Sequence, residues 1–271
     1  MPQDIINGYK MHYGVYGSGE PLLMIHGGLG GGEGSASIVS HHSQQLSSEF
    51  QLIVFDRRAS GKSESALDGY SITNYSRDVS ALLDHLSVDK THILGSSAGG
   101  PIAIQFALDY PQRTATLSLV NTMSYVDKEQ RNIRQRELEL LENTEASSQR
   151  TQAANALDVR RPGMREAEPE YFQKLLDLHL KQYDGIVKTM RSYIDIGNSI
   201  ENRLSELDIP TIIIHGSADS RIPIRCGHAL TNQIKNSSFI TIDGAEHGLL
   251  ANESDKVRRT LEPFWRHNSI N

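Results

Sequence analysis

A single cysteine, Cys226, stands in 271 residues, so no internal disulfide can form, and nothing in its surroundings marks the thiol as reactive. No stretch reaches the apolar length of a bilayer span, and the N-terminus lacks the basic, then apolar, then small-residue order of a secretory signal. A cytoplasmic protein without a membrane partner is expected. Positive charge is also scarce: 27 Lys and Arg stand against 33 Asp and Glu, a formal net charge of -6, which disfavours nucleic acid as a partner. The glycines between Gly27 and Gly34 are nowhere spaced as G-x-G-x-x-G, so the dinucleotide fingerprint is missing. Gly61-Lys62-Ser63 imitates the end of a phosphate-binding loop, but Asp56 occupies the position where that loop requires a glycine. The pair His41-His42 has no carboxylate or cysteine at metal-ligand spacing. Neither a cofactor nor a metal is expected.

With 38% apolar residues, the chain can bury a large core in one α/β domain with room for one insertion. Asn7-Gly8 between Asp4-Ile5-Ile6 and Tyr9-Lys10-Met11-His12-Tyr13 predicts an opening hairpin. Short β-branched runs near 22–26, 51–55, 91–95, 115–121, 210–215 and 238–242 alternate with helical patterns at 73–86, 100–109 and 225–235, which predicts parallel α/β units. A last helix near 253–266 contains Pro263, expected to kink or end it. From about Thr122 to Leu207 the pattern turns helical and dense in Glu, Arg, Gln and Lys, and the run from Asp127 to Glu142 reads as a solvated helix face.

The chemistry lies at strand ends. Thr91–Leu94 reads as a buried strand and Pro101–Leu108 as an apolar helix, so Gly95-Ser96-Ser97-Ala98-Gly99 falls on the turn between them. Glycines two before and two after Ser97 let strand and helix approach closely while the serine is held in a strained conformation with its hydroxyl exposed. Centring the pattern on Ser96 fails, because Leu94 and Ala98 would have to be glycine. A serine hydroxyl needs a base and a group that orients the base. Asp219 sits in a small-residue loop past the strand Pro210–His215, and His247 follows the strand Ser238–Ile242 through a Gly-bearing loop. In an open parallel sheet such loops converge outside the carboxyl ends of the strands. Glu246 is adjacent to His247 and is read as solvated, while His26 and His215, each before a glycine at a strand end, are read as packing or hydrogen-bonding their loops.

The order Ser97, Asp219, His247, with an elbow first, resembles the α/β-hydrolase superfamily. The resemblance extends over nearly the whole chain: Leu22–Gly30 is similar to the strand and His-Gly loop of that family, and Phe55–Ser63 to its Asp-x-Arg-Gly-x-Gly-x-Ser loop, although Ala59 and Ser60 stand where a glycine is usual. It implies an α/β-hydrolase fold, a mostly parallel central sheet flanked by helices, with 1–121 and 208–271 as the core and 122–207 as an inserted helical cap. It implies an oxyanion hole in which Ala98, at a helix N-terminus, gives one backbone N–H and Gly28, or else Leu29, the other. It also implies that the inner face of the cap shapes the substrate pocket, with Met123, Tyr125, Tyr171, Phe172, Tyr183 and Tyr193 as candidate lining residues, although such residues at helical spacing more often pack than recognise.

A serine hydrolase acting on a small carboxylic ester or lactone through an acyl-enzyme follows, as a monomer or homodimer with a small-molecule substrate. Carbon-carbon bond hydrolysis, perhydrolysis, or a small-molecule receptor with slow turnover remain open with the same triad. An epoxide hydrolase or a haloalkane dehalogenase would want a carboxylate at position 97.

Overall fold

The structure is a computed structural model and describes residues 2–126, 128–142, 144–194, 196 and 200–270; Asp127, at the head of the charged run, lies outside these. The strands are β1 (Gln3–Ile6), β2 (Tyr9–Tyr16), β3 (Glu20–Ile25), β4 (Phe50–Phe55), β5 (Thr91–Ser96), β6 (Thr114–Val120), β7 (Thr211–Gly216) and β8 (Ser237–Ile242). They form one eight-stranded sheet in the order β1-β2-β4-β3-β5-β6-β7-β8. The opening hairpin forms as its turn residues predict, with Asn7 at φ 45° and Gly8 at φ 79°. It joins β4 antiparallel through β2, and every later pairing is parallel.

Alternation along the strands divides the core into two layers. Leu22, Met24, Leu52, Val54, Ile212 and Ile214 face one side, against α1 (Ala36–Leu46) and the C-terminal helix, while Leu23, Ile25, Ile53, Ile93 and Ile213 face α2 (Ile72–His85) and α3 (Gly99–Asp109) on the other. Strands covered on both faces read as continuous apolar runs, which is the pattern seen in the sequence.

Between β6 and β7 the chain leaves the sheet for α4 (Lys128–Leu141), α5 (Gln149–Arg160), α6 (Met164–Ala167), α7 (Pro169–Lys181) and α8 (Tyr183–Ile194). This insertion is tied to the core loops through α7 and α8. Lys174 pairs with Glu33, Gln182 donates to the Gly61 carbonyl at 3.2 Å and Lys188 to the Leu67 carbonyl at 2.8 Å. After β7 come α9 (Arg225–Gln233), α10 (Leu249–Asn252) and α11 (Ser254–His267). Pro263 does not end α11, which continues to His267. Val257, Leu261 and Trp265 bury one stripe of the helix, and the Trp265 indole donates to Ser118 at 3.0 Å, so packing holds the turn that proline weakens.

Candidate active site

Ser97 lies where β5 gives way to α3, at φ 50°, a left-handed conformation that a non-glycine residue rarely adopts. The flanking glycines explain how the turn closes. A Cβ on Gly95 would stand 2.6 Å from the Gly99 carbonyl oxygen, and one on Gly99 would stand 2.4 Å from the carbonyl oxygen of Ile25 in β3. The strain is held by neighbours: the Ser97 N–H donates to Val120 at 3.0 Å, and the Ser97 carbonyl accepts from Gly100 N–H at 3.0 Å and from the Thr122 hydroxyl at 2.5 Å.

The loops after β7 and β8 bring the other two groups to the same place. His247 Nε2 is 3.0 Å from Ser97 Oγ and its Nδ1 is 2.8 Å from Asp219 Oδ2. A carboxylate only accepts, so Nδ1 carries the proton and the free lone pair of Nε2 faces the serine hydroxyl. Asp219 is buried, and its other oxygen accepts from the N–H groups of Arg221 and Ile222, each at 2.9 Å. Asn121, itself at φ 45°, joins the two loops: its side-chain oxygen accepts from Gly216 N–H at 3.0 Å and its amide donates to the Glu246 carbonyl at 3.2 Å. His215 is a support: its Nε2 lies 2.8 Å from the Ile222 carbonyl, and burial lowers its pKa, which keeps it neutral beside Asp219.

The loop after β3 lies against the elbow. A Cβ on Gly27 would stand 2.9 Å from that of Ser97, whereas one on Gly28, at φ 87°, would enter open space. Among the described residues, the N–H groups of Gly28, Leu29 and Ala98 have no acceptor. His26 is held neutral, its pKa pushed down to about 3 by burial and by the nearby Arg57. Its Nε2 accepts from the Arg57 N–H at 3.1 Å, so its protonated Nδ1 donates to the Gly27 carbonyl at 2.7 Å.

A serine hydroxyl at a strained elbow, an oriented imidazole facing it and backbone donors beside them without acceptors among the described residues are an arrangement that could serve acyl transfer. The sequence model of the alpha/beta hydrolase fold family matches residues 20–254. The chain belongs to the α/β-hydrolase family. The chain is 28% identical, over 94% of its length and 95% of the relative, to a protein of Variovorax paradoxus that carries the name carbamate hydrolase RutD. It is 26% identical, over 95% of its length and 92% of the relative, to 2-hydroxy-6-oxononadienedioate/2-hydroxy-6-oxononatrienedioate hydrolase 1 of Pseudomonas putida. Among solved structures, a thermophilic esterase from Thermogutta terrifontis superimposes with a TM-score of 0.81 at 23% identity, covering 100% of both chains.

Of the residues expected along the substrate pocket, Tyr193 is tied to the elbow. It is fully buried in α8, and its hydroxyl donates to the Ala98 carbonyl and accepts from Arg57 at 3.1 Å. Met123 is buried among Val126, Ile222 and Cys226, next to the acid loop, and Tyr125 is half-buried. Tyr171 lies with its ring centre 5.9 Å from the Arg161 guanidinium. Phe172 and Tyr183 do something else. Phe172 packs under Arg165 at 4.9 Å and lines an outer depression with Arg150 and Pro169, while Tyr183 donates to the Leu141 carbonyl at 3.0 Å beside an outer cleft. Both serve the internal packing of the insertion, the common fate of apolar residues at helical spacing. Asn121, Thr122 and Arg57 are the structural partners of the site that pattern reasoning leaves unassigned. Arg57 lies in a motif quoted from the sequence, but only its contacts give it a task.

Proposed function

We propose that the chain is a serine hydrolase that cleaves a small carboxylic ester or lactone through an acyl-enzyme on Ser97. One observation carries this reading: the continuous hydrogen-bonded line from Ser97 Oγ through His247 to Asp219. As Ser97 attacks the substrate carbonyl, His247 Nε2 takes the hydroxyl proton and Asp219 stabilises the imidazolium. The oxyanion is received by Ala98 N–H and by Gly28 N–H, with Leu29 N–H next to it. His247 then protonates the leaving alcohol, water attacks the acyl-enzyme by the same route, and the acid is released. The insertion acts as the cap over this chemistry.

Turnover of p-nitrophenyl esters of two to twelve carbons, wild type beside Ser97→Ala, tests the reading. Ser97→Ala is expected to lose turnover and organophosphate labelling with the fold intact; unchanged turnover would overturn the assignment. Asp219→Asn is expected to lose about 10⁴ in kcat, and combining it with His247→Ala to add little, because the triad acts as a unit.

A second reading has its own support. Arg221 is exposed to solvent, has no carboxylate partner among the described residues, and lies near the guanidinium groups of Arg161 and Arg160. A cationic group beside the acid loop suits a substrate that carries a carboxylate, as the dioates in the name of the Pseudomonas putida relative do for that protein, and the same triad could cleave such a substrate at an ester or at a carbon-carbon bond. Faster turnover of half-esters of dicarboxylic acids than of neutral esters, lost in Arg221→Gln, would favour it.

A further inference from the structure

Arg57 is a buried cation, 1% exposed, and among the described residues no carboxylate lies within ion-pair distance of it. Such a charge is costly to bury, and an arginine cannot escape the cost by losing its proton. Its donors point at backbone. Nη2 donates to the carbonyl oxygens of Gly27 at 2.9 Å and Gly28 at 2.5 Å, Nη1 donates to the Tyr193 hydroxyl, and Nε has no partner among the described residues. The Tyr75 ring lies 5.7 Å from the guanidinium carbon.

These two carbonyls have a covalent significance. The Gly27 carbonyl and the Gly28 N–H belong to one peptide group, and the Gly28 carbonyl and the Leu29 N–H to the next. Arg57 therefore holds from behind the same two peptides whose N–H groups are unengaged in front. The Ser97 carbonyl, which shares a peptide with the Ala98 N–H, is held from behind in the same way by Thr122 and Gly100. A hydrogen bond to a carbonyl polarises its peptide and strengthens the bond its N–H can donate, and a fixed positive charge adds to this in a buried setting.

Resting on the serine-hydrolase reading above, we infer that Arg57 is the positioning residue of the oxyanion hole: its buried charge orients and polarises the Gly27-Gly28 and Gly28-Leu29 peptides, and Tyr193 ties that guanidinium from the insertion to the Ala98 carbonyl. No proton moves through Arg57. Its charge is stationary while the substrate oxygen becomes negative, so it stabilises the tetrahedral state more than the bound ester.

The test compares the full-length wild type with Arg57→Lys, Arg57→Met and Tyr193→Phe, measuring kcat and KM for p-nitrophenyl acetate and inhibition by an alkyl boronic acid, whose tetrahedral adduct on Ser97 places an oxygen in the hole. Arg57→Met is expected to lose about 100-fold in kcat, as the removal of a hole donor does, with KM within about threefold and boronate affinity falling in parallel. Arg57→Lys keeps the charge but not the fork and is expected to regain part of the loss; Tyr193→Phe, which leaves Arg57 in place, is expected to lose less than either. A merely structural role would lower thermal stability without this parallel. If Arg57→Met does not fold, Arg57→Lys decides: boronate affinity and kcat both within twofold of wild type overturn the inference. Absence of Ser97-dependent turnover in the wild type overturns the serine-hydrolase reading and this inference with it, and is a different result from insensitivity to Arg57.

Discussion

The strand-end loops of the core and the helices of the insertion place their residues by different means. In the core, each residue of the site is set by backbone: a left-handed Ser97 between glycines whose missing Cβ atoms admit Ile25 and Gly99, and an Asp219 held by two N–H groups of its own loop. In the helices of the insertion, Tyr193, which is tied to the elbow, is set by side-chain packing in a helix that also buries Ile186, Met190 and Ile194. Backbone placement leaves little room for adjustment, whereas a packed helix can slide. The core should therefore fail abruptly when altered, and the insertion gradually.

The largest test of that difference places one methyl group in each region. Gly99→Ala would put its Cβ 2.4 Å from the Ile25 carbonyl oxygen and 2.8 Å from that of His26, both in backbone that cannot yield. A loss of about 3 kcal/mol or more is expected, in the range of overpacking, together with loss of organophosphate labelling because the elbow must open. Gly185→Ala would meet the Ala59 Cβ at 2.3 Å and the Tyr70 hydroxyl at 2.9 Å, but α8 can shift away from them. About 1–2 kcal/mol is expected there, with labelling retained. Urea unfolding and labelling on both variants check this, and equal losses would remove the contrast.

The same division governs what the sequence reveals. Ser97, Asp219 and His247 could be found because backbone placement leaves marks in composition: glycines at fixed offsets, β-branched runs before them, small-residue loops after. Asn121 and Thr122 could not, since a polar residue after a strand looks the same whether it clamps two loops or faces water. Tyr193 was legible only as one aromatic among several, because helical periodicity marks which side of a helix is buried and not what lies against it. Phe172 and Tyr183 share that periodicity and serve the packing of the insertion. Pro263 leaves the helix unended for a related reason: the local rule takes no account of the buried stripe of Val257, Leu261 and Trp265 on the same helix.

A smaller effect separates the regions by pH. Burial lowers the pKa of His26 to about 3 and of His42 to about 4 in the core, and of His179 to about 3 in the insertion. An unfolded histidine titrates near pH 6.5, so below that value the unfolded chain gains a proton that the folded chain refuses. Stability is full above pH about 6.5 and falls as the pH is lowered towards the folded values, by up to about 1.4 kcal/mol per pH unit for each such histidine. Urea unfolding between pH 4.5 and 7.5 should show this slope, and His42→Asn and His179→Gln should each flatten it. A slope unchanged in His179→Gln alone would mean that the insertion opens before the core does.

The smallest effect lies where the two regions touch. Ala59 occupies a position where the family usually has glycine, and it adopts φ 52°, a conformation that glycine takes freely and alanine takes under strain. Its carbonyl accepts from Gly31 N–H at 2.8 Å, so the strained residue braces the loop after β3, and its methyl group fills the space left by Gly185. Ala59→Gly relieves about 1 kcal/mol of left-handed strain, but frees the unfolded chain and removes a buried methyl, each worth about the same. The sum is a net loss of about 1 kcal/mol, and a Tm lowered by about 2–4 °C is expected. The interaction with Gly185→Ala is more telling. In the Ala59→Gly background the incoming methyl takes the place of the one removed, so much of the penalty of Gly185→Ala should disappear, a coupling of about 1 kcal/mol in a double-mutant cycle. Additive losses would mean that the Tyr70 hydroxyl, and not Ala59, limits how closely α8 approaches the core.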